Sequence, residues 1–211
     1  MHRQNIQKQL FVPLTVFLSF FLLGLFYLVS MGNYNFSIYF NTFNHNIADL
    51  IFKYLTYLGD GIFAFIVAIV CFFYRRDYGL IMLISLLITT SITQFLKRII
   101  FIEKFRPSNI FSDLIESGKW HLVEGVHLHD KFSFPSGHTA TVFCVGILLS
   151  IYINSRRWSI FILTLVSIVG LSRVYLSQHF LEDILMGSML GTIVSILVYY
   201  FFSPFLLKYN K

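Results

Sequence analysis

Residues 133–140 read SFPSGHTA and stand directly before an apolar run that continues to Ile153. A proline, a serine, a glycine and a histidine crowd the first turn of a segment that is hydrophobic on every side. Ionisable groups at the margin of a bilayer are expensive and are retained where they have a task. Gly137 lets another group approach the backbone closely. A helix that starts at Ser136–His138 also turns free amide groups toward any anion placed there.

The surrounding sequence makes that helix one of a set. Of 211 residues, 56% are hydrophobic and 12% charged, and the mean hydropathy is +0.72. This balance excludes an ordinary soluble domain and indicates an integral membrane protein. The length suits one domain over residues 1–211. A bilayer core takes about 20 apolar residues per helix. Six segments come near that length: roughly Leu10–Met31, Gly61–Tyr74, Tyr78–Ile100, Thr139–Ile153, Trp158–Leu176 and Leu181–Phe205. The expected fold is all-α, a bundle of six transmembrane helices. The N-terminal segment is basic and then apolar without a clear cleavage site, so it reads as an uncleaved first helix.

Charge sets the expected orientation. With six alternating spans, His2, Arg3 and Lys8, the pairs Arg75–Arg76 and Arg156–Arg157, and Lys208 with Lys211 all fall on one side. By the positive-inside rule that side is the cytoplasm. Every acidic residue except Asp77 falls on the other side. That face also carries Lys97, Arg98, Lys104, Arg106 and Arg173, which work against the rule and so call for another use. The formal charge of +6 is therefore explained by topology, and no nucleic-acid partner is expected. Residues 38–57 place Phe43, Ile47, Leu50, Ile51 and Tyr54 at helical spacing, as an amphipathic helix on the outer membrane surface does. Residues 102–134 form a long outer loop between spans three and four. Cys71 and Cys144 sit within apolar runs and read as core residues.

Three pieces meet on the outer side. The first is FLKRIIFIEKFRP (95–107), the second Pro135-Ser136-Gly137-His138, and the third SRVYLSQHFLED (172–183). Arginine presents a planar fork that fits phosphoryl oxygens. His179 and Asp183, four apart, are expected on one helix face, where the carboxylate can hold one ring nitrogen and leave the other free to attack. His138 can then protonate the departing oxygen. The six residues from Arg173 to His179 require a helix break near Ser177 or Gln178. Each residue alone has a bland reading, as a snorkelling arginine, an interfacial histidine or a turn glycine. Two histidines, two arginines and a carboxylate together, in a chain this poor in charge, do not. The loop residues His121, Glu124, His127, His129 and Asp130 match no metal-site spacing and read as a polar loop, with no metal expected. Ser91, Thr93 and Gln94 read as helix–helix hydrogen-bonding residues.

The arrangement resembles the type-2 phosphatidic acid phosphatase superfamily of membrane lipid phosphatases, whose pattern is K-x6-R-P, P-S-G-H and S-R-x5-H-x3-D. The second and third motifs are intact, at residues 135–138 and 172–183. The resemblance implies His179 as the nucleophile that becomes a phosphohistidine, Asp183 as its orienting group and His138 as the general acid. It implies Arg106, Ser136, Gly137 and Arg173 as ligands of the phosphoryl oxygens, and no metal or other cofactor. The first motif departs, because eight residues and not six separate Lys97 from Arg106. Lys97 ends an apolar helix as the family lysine does, so it takes that role if the extra residues bulge within 99–105. Arg98 and Lys104 are the competing cations. The expected substrate is a phosphomonoester on a membrane lipid at the outer face of an inner membrane. The stretch 120–141 resembles members that act on lipid A, including at the 4′-phosphate. Undecaprenyl pyrophosphate and phosphatidylglycerol phosphate are the alternatives. A vanadium haloperoxidase-like enzyme, which uses the same residues in a soluble fold, and a non-enzymatic membrane protein are the readings from other classes.

Overall fold

The computed structural model describes residues 2–206, with side chains from residue 9 to residue 204. Lys208 and Lys211 lie outside the described residues, as do the side chains of His2, Arg3 and Lys8. Every described element is a helix: α1 (His2–Met31), α2 (Asn33–Asn41), α3 (Asn46–Leu55), a 3₁₀ turn (Thr56–Gly59), α4 (Gly61–Tyr74), α5 (Arg76–Phe95) with a π turn at Leu96–Ile100, two short helices α6 (Pro107–Ile110) and α7 (Ser112–Glu116), α8 (Gly137–Ile153), α9 (Arg156–Tyr175) and α10 (Leu181–Leu206).

The helix that begins at PSGH is the centre of the bundle. α8 packs against α10, α9, α5, α4 and α1, and its residues from Thr139 to Leu148 are buried in an unbroken run. This all-round burial accounts for the lack of any polar stripe in its sequence. The contact with α10 is unusually close. A Cβ on Gly187 would lie 2.5 Å from the carbonyl oxygen of Ser136, and one on Gly191 would overlap that of Ala140. The two glycines, one turn apart, bring the backbones of α8 and α10 together as small residues do in membrane helix pairs. Phe143, Ile147, Leu148 and Leu163 fill the core around this seam.

The count of six spans is not confirmed by length and composition alone. Among the described residues, four helices are long and apolar enough to cross a bilayer: Gln9–Met31, Arg76–Ile100, Arg156–Tyr175 and Leu181–Pro204. The pair Asn46–Gly59 and Gly61–Tyr74, bent by 55°, would make a fifth. α4, expected as a span by itself, has 14 residues and a length of roughly 21 Å, short of a hydrocarbon core of about 30 Å. α8 is apolar but has 17 residues, and its burial by neighbours removes the need to meet lipid along its length.

The amphipathic segment is also divided. α2 ends at Asn41 and α3 starts at Asn46, where the ring of His45 accepts a hydrogen bond from the Ile47 amide at 3.2 Å. The apolar stripe of Ile47, Leu50, Ile51 and Tyr54 is exposed. The polar side faces inward, where Asp49 accepts hydrogen bonds from the Tyr175 hydroxyl and the His121 ring. His121 thus pins the long loop to α3, and through its backbone bonds with Asn41 to α2. That loop is not free chain: it contains α6 and α7 and is anchored by Phe111 and Trp120 against Phe180. Asp77, the one acidic residue on the basic side, is buried and paired with Arg75 at 2.8 Å.

The α8–α10 seam is testable by overpacking. Gly191→Leu is expected to lower stability by about 1–3 kcal/mol or more. It should be read as a fall in the thermal unfolding midpoint in detergent, with Gly61→Ala, at a site with nothing within 4 Å, leaving the midpoint unchanged.

Candidate active site

The end of α9 and the start of α10 place the third motif. α9 stops at Tyr175, and Ser177 adopts φ 56°, so the break falls where the spacing of Arg173 and His179 requires it. Ser177 is held by the indole of Trp120, which donates to its hydroxyl at 2.9 Å. His179 therefore lies outside α10. The expectation that His179 and Asp183 share a helix face is corrected: Asp183 stands at the third position of α10 and reaches back. Its Oδ2 accepts from the Phe180 amide at 2.9 Å, the carboxylate half of a capping box. The same oxygen lies 3.2 Å from Nδ1 of His179 and accepts from the Ser133 hydroxyl at 2.5 Å. The N–H on Nδ1 donates to the carboxylate, which leaves Nε2 with its lone pair. His179 is 1% exposed. Burial first, and then Lys97, Arg106 and Arg173 around it, hold its imidazole well below the ordinary histidine value, which favours the neutral ring.

The second motif joins the first turn of α8 to this cap. The Ser136 amide donates to the Asp183 carbonyl at 2.9 Å, and the Ser136 hydroxyl caps α8 by accepting from Thr139. Gly137 and His138 follow as the first residues of α8, ahead of its first intrahelical bond from Ala140 to Ser136. His138 lies within electrostatic range of Lys97, Arg106 and Arg173. With Gly137 it lines a cavity of about 190 Å³ bounded by Gly59, Thr93 and Gln94.

Three cations complete the group. Lys97 is buried at 8% exposure and Arg173 at 7%. Arg106 is buried as well, and that burial works against its charge, with Asp183 offsetting part of the effect. Arg173 donates from Nη1 to the Thr56 hydroxyl at 2.6 Å, and its Nε has no hydrogen-bond partner among the described residues. Arg106 donates from Nε to the Lys131 carbonyl at 2.9 Å. From Nη1 it donates to both the backbone and side-chain oxygens of Gln178, each at 3.1 Å. Arg173 Nη2 reaches the same side-chain oxygen at 3.5 Å.

Gln178, Ser133 and Thr56 had no expected role in the site. Gln178 is the most telling of the three. Its NH₂ donates to the His127 carbonyl at 3.0 Å, which turns Oε1 toward the two guanidinium groups. The only sequence signal for it is its place beside His179. One of the two extra residues of the first motif is taken up in a π turn at Leu96–Ile100, which overlaps the start of the expected 99–105. The Phe101 amide bonds to the Leu96 carbonyl at 2.8 Å, so the helix widens into a π turn around Lys97 itself. Lys97 turns inward, while Arg98 is exposed and bonded through Nε to Gln94 at 3.1 Å. Lys104 lies 3.5 Å from Glu182. Of the span-three residues read as helix–helix contacts, Gln94 bonds to Arg98 on its own helix. Thr93 Oγ1 has no hydrogen-bond partner among the described residues. In the loop, His127 and His129 bring their rings to 4.7 Å.

Fold and site together define a multi-pass helical membrane protein with a histidine–carboxylate pair walled by cations at one end of its bundle. The PAP2 superfamily profile matches residues 78–206, and the chain belongs to that superfamily: it is a membrane lipid phosphatase that hydrolyses phosphoesters. Among relatives, it is 29% identical over 158 residues to phosphatidylglycerophosphatase B of Bacillus subtilis, covering 68% of this chain and 70% of that one. It is 33% identical over 99 residues to the lipid A 4′-phosphatase of Porphyromonas gingivalis, covering 47% of this chain but 40% of the relative. The crystal structure of a transmembrane PAP2 type phosphatidylglycerolphosphate phosphatase from Bacillus subtilis superposes with a TM-score of 0.65 at 26% identity, covering 92% of this chain and 96% of that one.

The different settings of Lys97 and the exposed lysines nearby can be checked directly. Amine acetylation in mild detergent, followed by mass spectrometry, is expected to modify Lys104 and Lys131 early. Lys97 should be modified only after the protein is unfolded.

Proposed function

We propose that the chain removes a terminal phosphate from a membrane lipid through a phosphohistidine on His179. The observation that carries this reading is the Nδ1–Asp183 contact of a buried His179 beside three buried cations. Nε2 attacks phosphorus as the bond to the lipid oxygen breaks, and His138 gives that oxygen a proton. Water then attacks the phosphohistidine, His138 takes up the proton, and inorganic phosphate leaves. Arg106, Arg173 and Lys97, with the amides at the start of α8 around Ser136 and Gly137, hold the phosphoryl oxygens while charge builds on them. The unpartnered Nε of Arg173 suits an anionic oxygen, because a buried donor is costly without an acceptor. Lys97 takes the first-motif role in preference to Arg98 and Lys104, since it is the one of the three that is buried.

Phosphatidylglycerol phosphate is the substrate reading favoured by the relative and the solved structure that match most of both chains. A lipid A phosphate is the second reading, favoured by the 33% identity to a lipid A 4′-phosphatase. The site opens on the extracytoplasmic side, opposite Arg75–Arg76 and Arg156–Arg157, of a cell inner membrane.

His179→Ala is expected to reduce phosphate release from lipid substrates by at least about 10³-fold, while purified protein remains folded. Lys97→Ala should cost about 10²-fold, and Lys104→Ala much less. Orthovanadate should inhibit by taking the geometry of the transition state. Substantial turnover in His179→Ala would remove the covalent route.

Sidedness is read by labelling intact cells or spheroplasts with an impermeant thiol reagent, after Cys71 is replaced by alanine. Ser117→Cys is expected to label and Ser155→Cys to remain protected. The reverse pattern would invert the orientation.

A further inference from the structure

The three buried cations do not exhaust the positive charge at the site. A cavity of about 440 Å³ opens over Lys97 and Arg106 and is lined further by Arg98, His129, Asp130 and Lys131. Four cations against one carboxylate give this mouth a net charge of +3, and it is larger than one phosphoryl group needs. Lys97 and Arg106, with Arg173 deeper in, already balance a phosphomonoester dianion. Arg98 and Lys131 are left over. Neither pairs with a carboxylate among the described residues. Arg98 is also held in a specific way. Its Nε is engaged by Gln94 and the residue lines the cavity, where a guanidinium with its Nη groups unspent on Gln94 suits a phosphate or phosphodiester. Lys131 lies across the mouth, its ammonium 5.9 Å from the Phe105 ring centre. The π turn is what makes this possible, since it buries Lys97 while its neighbour Arg98 stays at the rim. Arg98 is also one of the cations that oppose the positive-inside distribution.

We infer that Arg98 and Lys131 form a second anion subsite at the mouth of the cavity, so that the preferred substrate carries another phosphate or phosphodiester next to the phosphate that is removed. This rests on the phosphatase reading above and deepens it. A lipid with a single phosphate, such as phosphatidate, fills only the inner site. A lipid whose terminal phosphate is joined through a short linker to a phosphodiester fills both.

The test compares phosphatidylglycerol phosphate with phosphatidate of the same acyl chains, in neutral detergent micelles, for the wild type and for the double variant Arg98→Gln, Lys131→Gln. The wild type is expected to prefer phosphatidylglycerol phosphate. The double variant should lose about tenfold in kcat/KM on it, mainly through KM, the scale of one charged hydrogen-bonding contact. Its phosphatidate turnover should stay within about twofold, which also reports that the variant is folded. Equal losses on both lipids would mean a general attraction of anions and would overturn the subsite, as would no loss on either. Should the variant lose all activity, the wild type decides. A preference for phosphatidate, or equal sensitivity of both substrates to added salt, would overturn the inference. Failure of the phosphatase reading looks different: the wild type would release phosphate from neither lipid, or His179→Ala would remain active.

Discussion

One carboxylate oxygen organises this end of the molecule. Oδ2 of Asp183 takes the Phe180 amide, the Ser133 hydroxyl and Nδ1 of His179. The first contact starts α10, the second holds the end of the long loop that leads into PSGH, and the third sets the tautomer of the imidazole. The backbone of the same residue receives the Ser136 amide. A helix cap, a helix–helix junction and a side-chain orientation therefore share one residue. Loss of its charge would be felt in folding as well as in chemistry, because buried polar networks are costly when partly satisfied.

Around that carboxylate the cations are arranged by burial. Lys97, Arg106 and Arg173 come from the end of α5, the long loop and the end of α9, and none of them is paired with a carboxylate among the described residues. Like charges gathered in a poorly solvated place repel, so the protein must hold them by other means. It does so with neutral oxygens: Thr56 on Arg173, the Lys131 carbonyl on Arg106, and Gln178 between the two arginines. Neutral acceptors keep the guanidinium groups in place without cancelling the charge that a phosphoryl group would meet.

Much of this was legible in the sequence where the signal is local. The spacing of Ser172-Arg173, His179 and Asp183 with an intervening break is present as the end of α9, the left-handed Ser177 and the cap of α10. Lys97 was singled out by its position after an apolar helix, and it is the buried candidate. What was not legible depends on crossings. Apolar runs show which segments are buried but not whether neighbours or lipid bury them, so composition does not fix the number of spans. The π turn leaves no trace in composition, and a glutamine beside a histidine is too common a pair to mark a bridge between two arginines. Residues 38–57 were read as one amphipathic helix because the period continues across Thr42–His45, where the backbone turns.

The glycine seam between α8 and α10 bears on how this chain can vary in length. Ser136–His138 ride on one helix and His179–Asp183 on the other, and the two are indexed by backbone contacts at Ser136, Ala140, Gly187 and Gly191. No side chain lies between them to absorb an error of register. Inserting or deleting one residue between His138 and Cys144, or between Asp183 and Gly191, would rotate one half of the site by about 100° relative to the other. The stretch from Ser112 to Gly118, remote from the seam, carries no such requirement. Relatives of different length are thus expected to differ in that outer stretch and to keep these two intervals unchanged.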